Sequence, residues 1–189
     1  MVTTRSWGGA MNVPNLLTFL RILLVPVFVG LIVYGYPRWA LIVFLLAGLT
    51  DALDGMIARV LNQRTTLGQY LDPLADKLLL VTSFVALSAV GSIPIWVTII
   101  VVSRDVIISV GTLVVHLLRE RVNIVPSRAG KATTVAQLLY VLAVLVGMIA
   151  PVPSTVFALG LAVMLVLTMV SGLHYVLRGI RLLSGDGGA

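Results

Sequence analysis

The stretch DALDGMIARVLNQRTTLGQYLDPLADK, residues 51–77, holds four of the seven acidic residues in this chain of 189 residues. These four are Asp51, Asp54, Asp72 and Asp76, and the sequence on both sides of them is strongly apolar. The first two are separated by three positions and the last two by four, so each pair would share one face of a helix. The two helices would be joined by a short connection and would be antiparallel neighbours, which brings both faces to one place.

The composition indicates that lipid is the solvent for most of the surface. Hydrophobic residues make up 59% of the chain and charged residues 11%, whereas about 25% of a soluble domain is charged. We therefore predict an all-α integral membrane protein and exclude a soluble enzyme. The chain has no cysteine, which excludes disulfides and thiolate metal sites. The net charge of +6 comes from cations spread over short loops, a pattern that does not indicate nucleic-acid binding.

Six apolar segments approach the ~20 residues that a helix needs to cross the hydrocarbon. The predicted transmembrane helices are Asn15–Tyr34, Trp39–Val60, Gly68–Val90, Ile93–Leu118, Ala132–Ala150 and Thr155–Leu177. They form a single six-helix domain over residues 15–181, after an N-terminal cytoplasmic or interfacial segment (1–14) and before a flexible tail (182–189). The sequence leaves open whether Met1 or Met11 is the true start.

The cations predict the orientation of these helices. Arginine and lysine residues precede the first span, follow the last, and crowd the 2–3 and 4–5 loops, while the opposite loops hold only Arg38. The positive-inside rule therefore places both termini and these two loops in the cytoplasm. The four aspartates would then lie near the cytoplasmic face.

A cluster of carboxylates in a membrane requires positive charges nearby that offset the cost of burying it. Each carboxylate costs roughly 2.5–3.5 kcal/mol even on the mildest insertion scale, and only Arg59 and Lys77 lie on the same two helices. One or two divalent cations would compensate better, and oxygen ligands without His or Cys favour Mg²⁺ or Mn²⁺. Gly55 and Gly68 leave space beside the cluster, and Arg59 could meet a phosphate. Together these features indicate a diphosphate site that performs phosphoryl-type transfer.

The same residues carry a resemblance to a known family. The pattern D-x-x-D-G-x-x-A-R-x8-G-x3-D-x3-D is matched in full between Asp51 and Asp76 and resembles the signature of the CDP-alcohol phosphotransferases. Outside it, NVPNLLTFLRILLVPVF (12–28), SRDVIIS and GKATTVAQ resemble segments of phosphatidylglycerophosphate synthases, whereas LLAGLTDALDGMIAR, LDPLADKLL and SRDVI also resemble segments of cardiolipin synthases. The resemblance implies cleavage of a CDP-linked donor, release of CMP, and transfer of the phosphatidyl group to an alcohol. It also implies a homodimer in a bacterial cytoplasmic membrane with the active site facing the cytoplasm.

The resemblance assigns roles by position. Asp51, Asp54, Asp72 and Asp76 would hold two metal ions, and Asp76 would also be the general base. The CDP-binding residues would be Asn15, Gly55, Ala58, Arg59 and Gly68. Direct attack by the acceptor is expected, although spacing leaves a covalent intermediate open.

Cations of the fourth and fifth spans indicate which alcohol accepts the phosphatidyl group. Arg104 lies within a span, and Arg128 and Lys131 lie at the start of the next. An anion pocket made of these three residues favours a phosphate-bearing acceptor; the alternative for Arg104 is an internal ion pair between helices. We expect sn-glycerol 3-phosphate as acceptor and CDP-diacylglycerol as donor. The alternative is a cardiolipin synthase that uses phosphatidylglycerol, and a divalent-cation transporter is the alternative of a different class.

Overall fold

The computed structural model describes the backbone of residues 13–60, 66–118 and 128–183, and side chains within residues 16–50, 77–111, 130–175 and at Leu177. The described backbone forms six helices and no strand. They are α1 (Val13–Val33), α2 (Pro37–Val60), α3 (Thr66–Ala89), α4 (Ile95–Leu118), α5 (Arg128–Gly147) and α6 (Ser154–Leu183). All six predicted helices are confirmed as helices. The largest differences are that α5 begins at Arg128 rather than Ala132 and that α6 continues beyond Leu177.

Glycine and proline residues set the ends of α1 and α2. The N–H of Tyr36 donates to the carbonyl of Leu31 at 2.8 Å and that of Gly35 to the carbonyl of Ile32 at 3.1 Å, the bond pair of a Schellman C-cap. Gly35 has φ 77°, which a side chain disfavours. Pro37 begins α2, where its missing N–H costs nothing. The turn is therefore encoded by the sequence.

Among the residues that the structure describes, three helices are long and apolar enough to cross a membrane, over Leu16–Val33, Gly130–Gly147 and Ser154–Tyr175. The described parts of α2 and α3 add shorter apolar segments, Pro37–Thr50 and Lys77–Ala89. Many large apolar side chains on these helices face outward; Leu23 and Met169, for example, are each 65% exposed. Such a surface is expected where the solvent is lipid.

Residues 1–90 form one compact unit. Its core lies where α1 packs against α2 and α3, and the rings of Phe28 and Phe44 meet there at 5.9 Å between centroids. Ala40 and Ala47 are fully buried on α2. Because apolar burial drives little association in lipid, small residues that permit close helix packing contribute much of the stability.

Residues 91–189 form a second compact unit, in which α6 packs against both α4 and α5. Glycines permit this packing. A Cβ atom on Gly147 would collide with Cζ of Phe157, and one on Gly160 would lie 3.4 Å from Cδ2 of Tyr140. The hydroxyl of Thr133 on α5 donates to the carbonyl of Leu167 on α6 at 3.0 Å. These contacts fix the register of α5 against α6.

Candidate active site

The two acidic pairs lie on two helices that contact each other. Asp51 and Asp54 belong to α2, and Asp72 and Asp76 belong to α3. Because the backbone is helical at all four positions, the spacing of three and four places each pair on one helix face. The α2 and α3 helices contact each other and both contact α1. The antiparallel arrangement and the carboxylate positions lie outside the described side chains and connections, so they stay predictions.

The predicted CDP-binding residues follow the acidic pairs on the same elements. Gly55, Ala58 and Arg59 lie on α2 and Gly68 lies in the first turn of α3. Asn15, the predicted first residue of this helix, lies in the first turn of α1, which begins at Val13. The side chains of these five residues are outside the described set, so their contacts with a nucleotide stay predictions.

Arg21 is the largest fully buried side chain among those that the structure describes. The sequence did not distinguish a buried arginine from one that extends to the membrane surface, and burial excludes the second possibility. Arg21 lies on α1, the helix that packs against both acidic helices. Within residues 1–90 the four aspartates are the only acidic residues.

The side-chain ligands that residues 51–77 supply fit a hard divalent cation. The stretch supplies four carboxylates and neither His nor Cys, and oxygen ligands are those that Mg²⁺ and Mn²⁺ prefer. The side chains described elsewhere in the chain do not bring three or more His, Asp or Glu residues together. The residues present therefore fit the expected metals.

Arg104 is held by an ion pair within the second unit. Its Nη1 lies 2.7 Å from Oδ1 of Asp105, and the two side chains are 11% and 9% exposed. Its Nη2 donates to Oγ of Ser171 on α6 at 2.6 Å. The ion pair thus joins neighbouring residues of α4, and the hydrogen bond joins α4 to α6. These contacts give Arg104 a structural role whether or not it also binds an anion.

The groove beside Arg104 is apolar. It has a volume of about 300 Å³ and lies along α4 and α6, with Ser103, Arg104 and Thr168 as its polar residues and isoleucine, methionine and glycine around them. Nε of Arg104 is buried and has no hydrogen-bond partner. A groove of this composition suits a hydrocarbon chain better than a hydrated phosphate.

Lys131 differs from Arg104 in its surroundings. It is exposed, and it shares the first turn of α5 with Arg128, three positions earlier. The two therefore lie on one helix face, although the side chain of Arg128 is outside the described set. Arg104 lies 14 residues before the end of α4, about 21 Å at the rise of an α-helix. Among described contacts, Arg104 bonds with Asp105 and Ser171 and not with Lys131.

Comparison with known proteins decides the family. Residues 11–171 match the sequence profile of the CDP-alcohol phosphatidyltransferases. The chain belongs to this family. Its six helices, three of them long and apolar enough to span a bilayer, and this membership identify an integral membrane protein of phospholipid biosynthesis.

Relatives within the family differ in their named activities. A probable phosphatidylglycerophosphate synthase of Mycobacterium tuberculosis is 33% identical over 92% of this chain and 84% of its own length. A CMP-forming cardiolipin synthase of Streptomyces coelicolor is 38% identical over 56% of this chain and 53% of its own. The CMP-forming cardiolipin synthase of Rattus norvegicus is 46% identical to this chain over an alignment that covers 56% of this chain and 35% of its own length.

Proposed function

We propose that this protein is a CDP-diacylglycerol–glycerol-3-phosphate 3-phosphatidyltransferase, which makes phosphatidylglycerophosphate and CMP. The observation that carries the proposal is the complete signature on two contacting helices of a family member. Similarity over 92% of the chain to a probable phosphatidylglycerophosphate synthase supports the acceptor. Similarity to cardiolipin synthases covers between about half and two thirds of the chain.

The aspartates and the residues that follow them bind the donor, CDP-diacylglycerol. Asp51, Asp54, Asp72 and Asp76 hold two ions of Mg²⁺ or Mn²⁺. When bound, these ions neutralise the diphosphate of CDP-diacylglycerol and the charge that develops during transfer. The CMP part of the donor is bound by Asn15, Gly55, Ala58, Arg59 and Gly68.

Transfer proceeds by direct displacement at the phosphorus that carries diacylglycerol. The primary hydroxyl oxygen of glycerol 3-phosphate forms a new bond to this phosphorus, and the bond between that phosphorus and the oxygen bridging to CMP breaks. CMP leaves with the electron pair. The carboxylate of Asp76 accepts the hydroxyl proton and so acts as the general base.

The acceptor's phosphate is assigned to Arg104, Arg128 and Lys131. Exposed Lys131 at the start of α5 is free of the desolvation that burial imposes, and it supports the assignment most directly. The ion pair of Arg104 with Asp105 means that its contribution must be tested separately from its structural role.

The membrane arrangement follows from the same proposal. All six helices span the bilayer, both termini are cytoplasmic, and the site opens to the cytoplasm, where its soluble substrate and product are found. A cytoplasmic membrane of bacterial type and a homodimer complete the arrangement. The cation distribution supports the orientation.

Cardiolipin synthase is the second candidate, because identity to the rat cardiolipin synthase reaches 46% over 106 residues. Its acceptor is phosphatidylglycerol, a lipid whose headgroup is the same glyceryl phosphate. The apolar groove at Arg104 could receive one of its hydrocarbon chains.

The test is CMP release by the purified protein with CDP-diacylglycerol and Mg²⁺ or Mn²⁺. Glycerol 3-phosphate and phosphatidylglycerol are supplied in separate reactions, and Asp76→Asn is the inactive control. CMP with glycerol 3-phosphate alone supports the proposal, and CMP with phosphatidylglycerol alone supports the second candidate. Metal-ion uptake into vesicles without CMP release would instead favour the transporter alternative.

A further inference from the structure

Arg21 lies on the face of α1 that packs against α2. The buried side chains of α1 recur every three or four positions and so form one helix face; they are Thr18, Arg21, Val25, Phe28 and Ile32. The buried side chains described on α2 have the same spacing and are Ala40, Phe44 and Ala47. Continued along α2, this spacing reaches Asp51 and Asp54. The acidic pair of α2 therefore lies on the helix face that packs against α1.

The contact between Phe28 and Phe44 sets the level of α1 against α2. Residues 34–36 alone separate the two helices, which contact each other, so the helices run antiparallel. The rings of Phe28 and Phe44 meet at 5.9 Å between centroids. Arg21 lies seven residues before Phe28, and Asp51 lies seven residues after Phe44. Because seven residues make about two helical turns, both positions return to the contact face at the same level.

The direction of helical side chains places the guanidinium between the two acidic positions. Side chains lean toward the N-terminus of their own helix, so an arginine at position 21 extends its long chain toward the level of Thr18. By the same count of residues, Asp54 on α2 lies opposite Thr18. The guanidinium of Arg21 therefore falls between the levels of Asp51 and Asp54, across an interhelical distance of about 8–10 Å.

Burial of Arg21 requires negative charge close by. Its side chain is 0% exposed, and a fully buried charge is tolerated where it is paired and hydrogen-bonded. Residues 1–90 contain four acidic residues, all within residues 51–76. Two of the four lie on α2, opposite Arg21 in the register of the two helices. These two are therefore the acids best placed to pair with it.

We propose that Arg21 is the resident counter-charge of Asp51 and Asp54 and that it sets the affinity of the metal site. The inference rests on the proposed function, in which these two aspartates are metal ligands. Arginine offers five donors to carboxylate oxygens, so one guanidinium can bind both side chains before a metal ion arrives. Because Arg21 and a divalent cation are both positive, they repel each other and share the same carboxylates. Arg21 therefore stabilises the metal-free site and weakens metal binding.

The first measurement is thermal unfolding of the purified protein in detergent and EDTA, where no metal ion can take the place of the arginine. Arg21→Met should lower the melting temperature by about 6–20 °C, because the carboxylates lose their partner. Asp51→Asn or Asp54→Asn should then be more favourable in the Arg21→Met protein than in the wild type, by roughly 2–10 °C. Asp72→Asn on α3 is the matched control, and its effect should be equal in the two proteins within about 2 °C.

The second measurement is the binding of Mn²⁺ to the protein without substrate, followed by electron paramagnetic resonance of the free ion. The Kd of Arg21→Met should fall by roughly fivefold or more, because a positive charge beside the ion has been removed. Arg21→Lys keeps the charge and should keep the wild-type Kd. A side chain that only fills space in the core would not change the Kd in this direction.

An equal effect of Asp51→Asn and Asp54→Asn in both proteins overturns the pairing. A Kd for Mn²⁺ that is unchanged or higher in Arg21→Met overturns the role in metal affinity. If Arg21→Met does not fold, folding of Arg21→Met/Asp51→Asn but not of Arg21→Met/Asp72→Asn supports the pairing, and folding of neither overturns it. Neither measurement uses CMP release, so a protein that shows the pairing but releases no CMP removes the proposed function alone.

Discussion

Arg104 gives the sharpest test of how charge is accommodated in this membrane protein. Arg104→Met leaves Asp105 without its partner at 2.7 Å, in a site where both side chains are about one-tenth exposed. Removing one member of a buried ion pair costs about 3–5 kcal/mol, because the other charge stays buried and unpaired. At about 2–4 °C per kcal/mol for a chain of this size, the melting temperature should fall by about 6–20 °C.

Asp105→Asn should also destabilise the protein. The double variant Arg104→Met/Asp105→Asn should be more stable than either single variant, because neither charge remains. Thermal unfolding in detergent, followed by fluorescence of the three tryptophans, measures all four proteins. If Arg104→Met were as stable as the wild type, or if the double variant were no better than the single ones, the reasoning from burial would be refuted.

The double variant also separates structure from substrate binding at Arg104. If Arg104 contacts the acceptor's phosphate, the double variant should regain stability yet show a KM for glycerol 3-phosphate that is higher by roughly tenfold or more, as for loss of a charged hydrogen bond. Unchanged KM values for both substrates would limit Arg104 to its ion pair. Arg128 and Lys131 would then remain as the proposed phosphate ligands.

Three further predictions concern the metal and the helix packing. Chelation with EDTA should abolish CMP release, and excess Mg²⁺ or Mn²⁺ but not NaCl should restore it; activity that survives chelation would argue against carboxylate-bound ions. Gly147→Ala places a Cβ in collision with Cζ of Phe157 and should cost about 1–3 kcal/mol by overpacking. Phe157→Leu should recover part of that loss in thermal unfolding, and no loss from Gly147→Ala would contradict the packing. Arg21→Met removes a fully buried charge. It should lower the melting temperature more than Arg38→Met, which removes an exposed charge and is the control.

Helices were predictable because their signals are local. Apolar segments of membrane-spanning length, with glycine and proline at their ends, predicted six helices, and the structure has six helices over nearly the same residues. The predicted boundaries follow hydropathy, whereas a helix continues wherever backbone hydrogen bonds continue. The α6 helix therefore extends beyond the last apolar turn to Leu183, through the cationic residues Arg178 and Arg181.

The family was predictable because its residues lie within one short stretch. Asp51 to Asp76 contains the whole signature, and helix periodicity alone puts each acidic pair on one face. The acceptor residues are harder to predict, because they depend on contacts between helices distant in sequence. Ser171 on α6 lies 67 residues from Arg104, and no local pattern associates the two.

Burial of polar groups marks the limit of prediction from the sequence. Arg21, Arg104 and Gln137 are all visible as polar residues within apolar segments, and each could equally reach the membrane surface, pair internally or meet a ligand. The structure separates them: Arg21 is enclosed, Arg104 is paired with Asp105, and the amide of Gln137 is enclosed without a partner. Each of these outcomes depends on side chains of neighbouring helices, which a local sequence pattern does not contain.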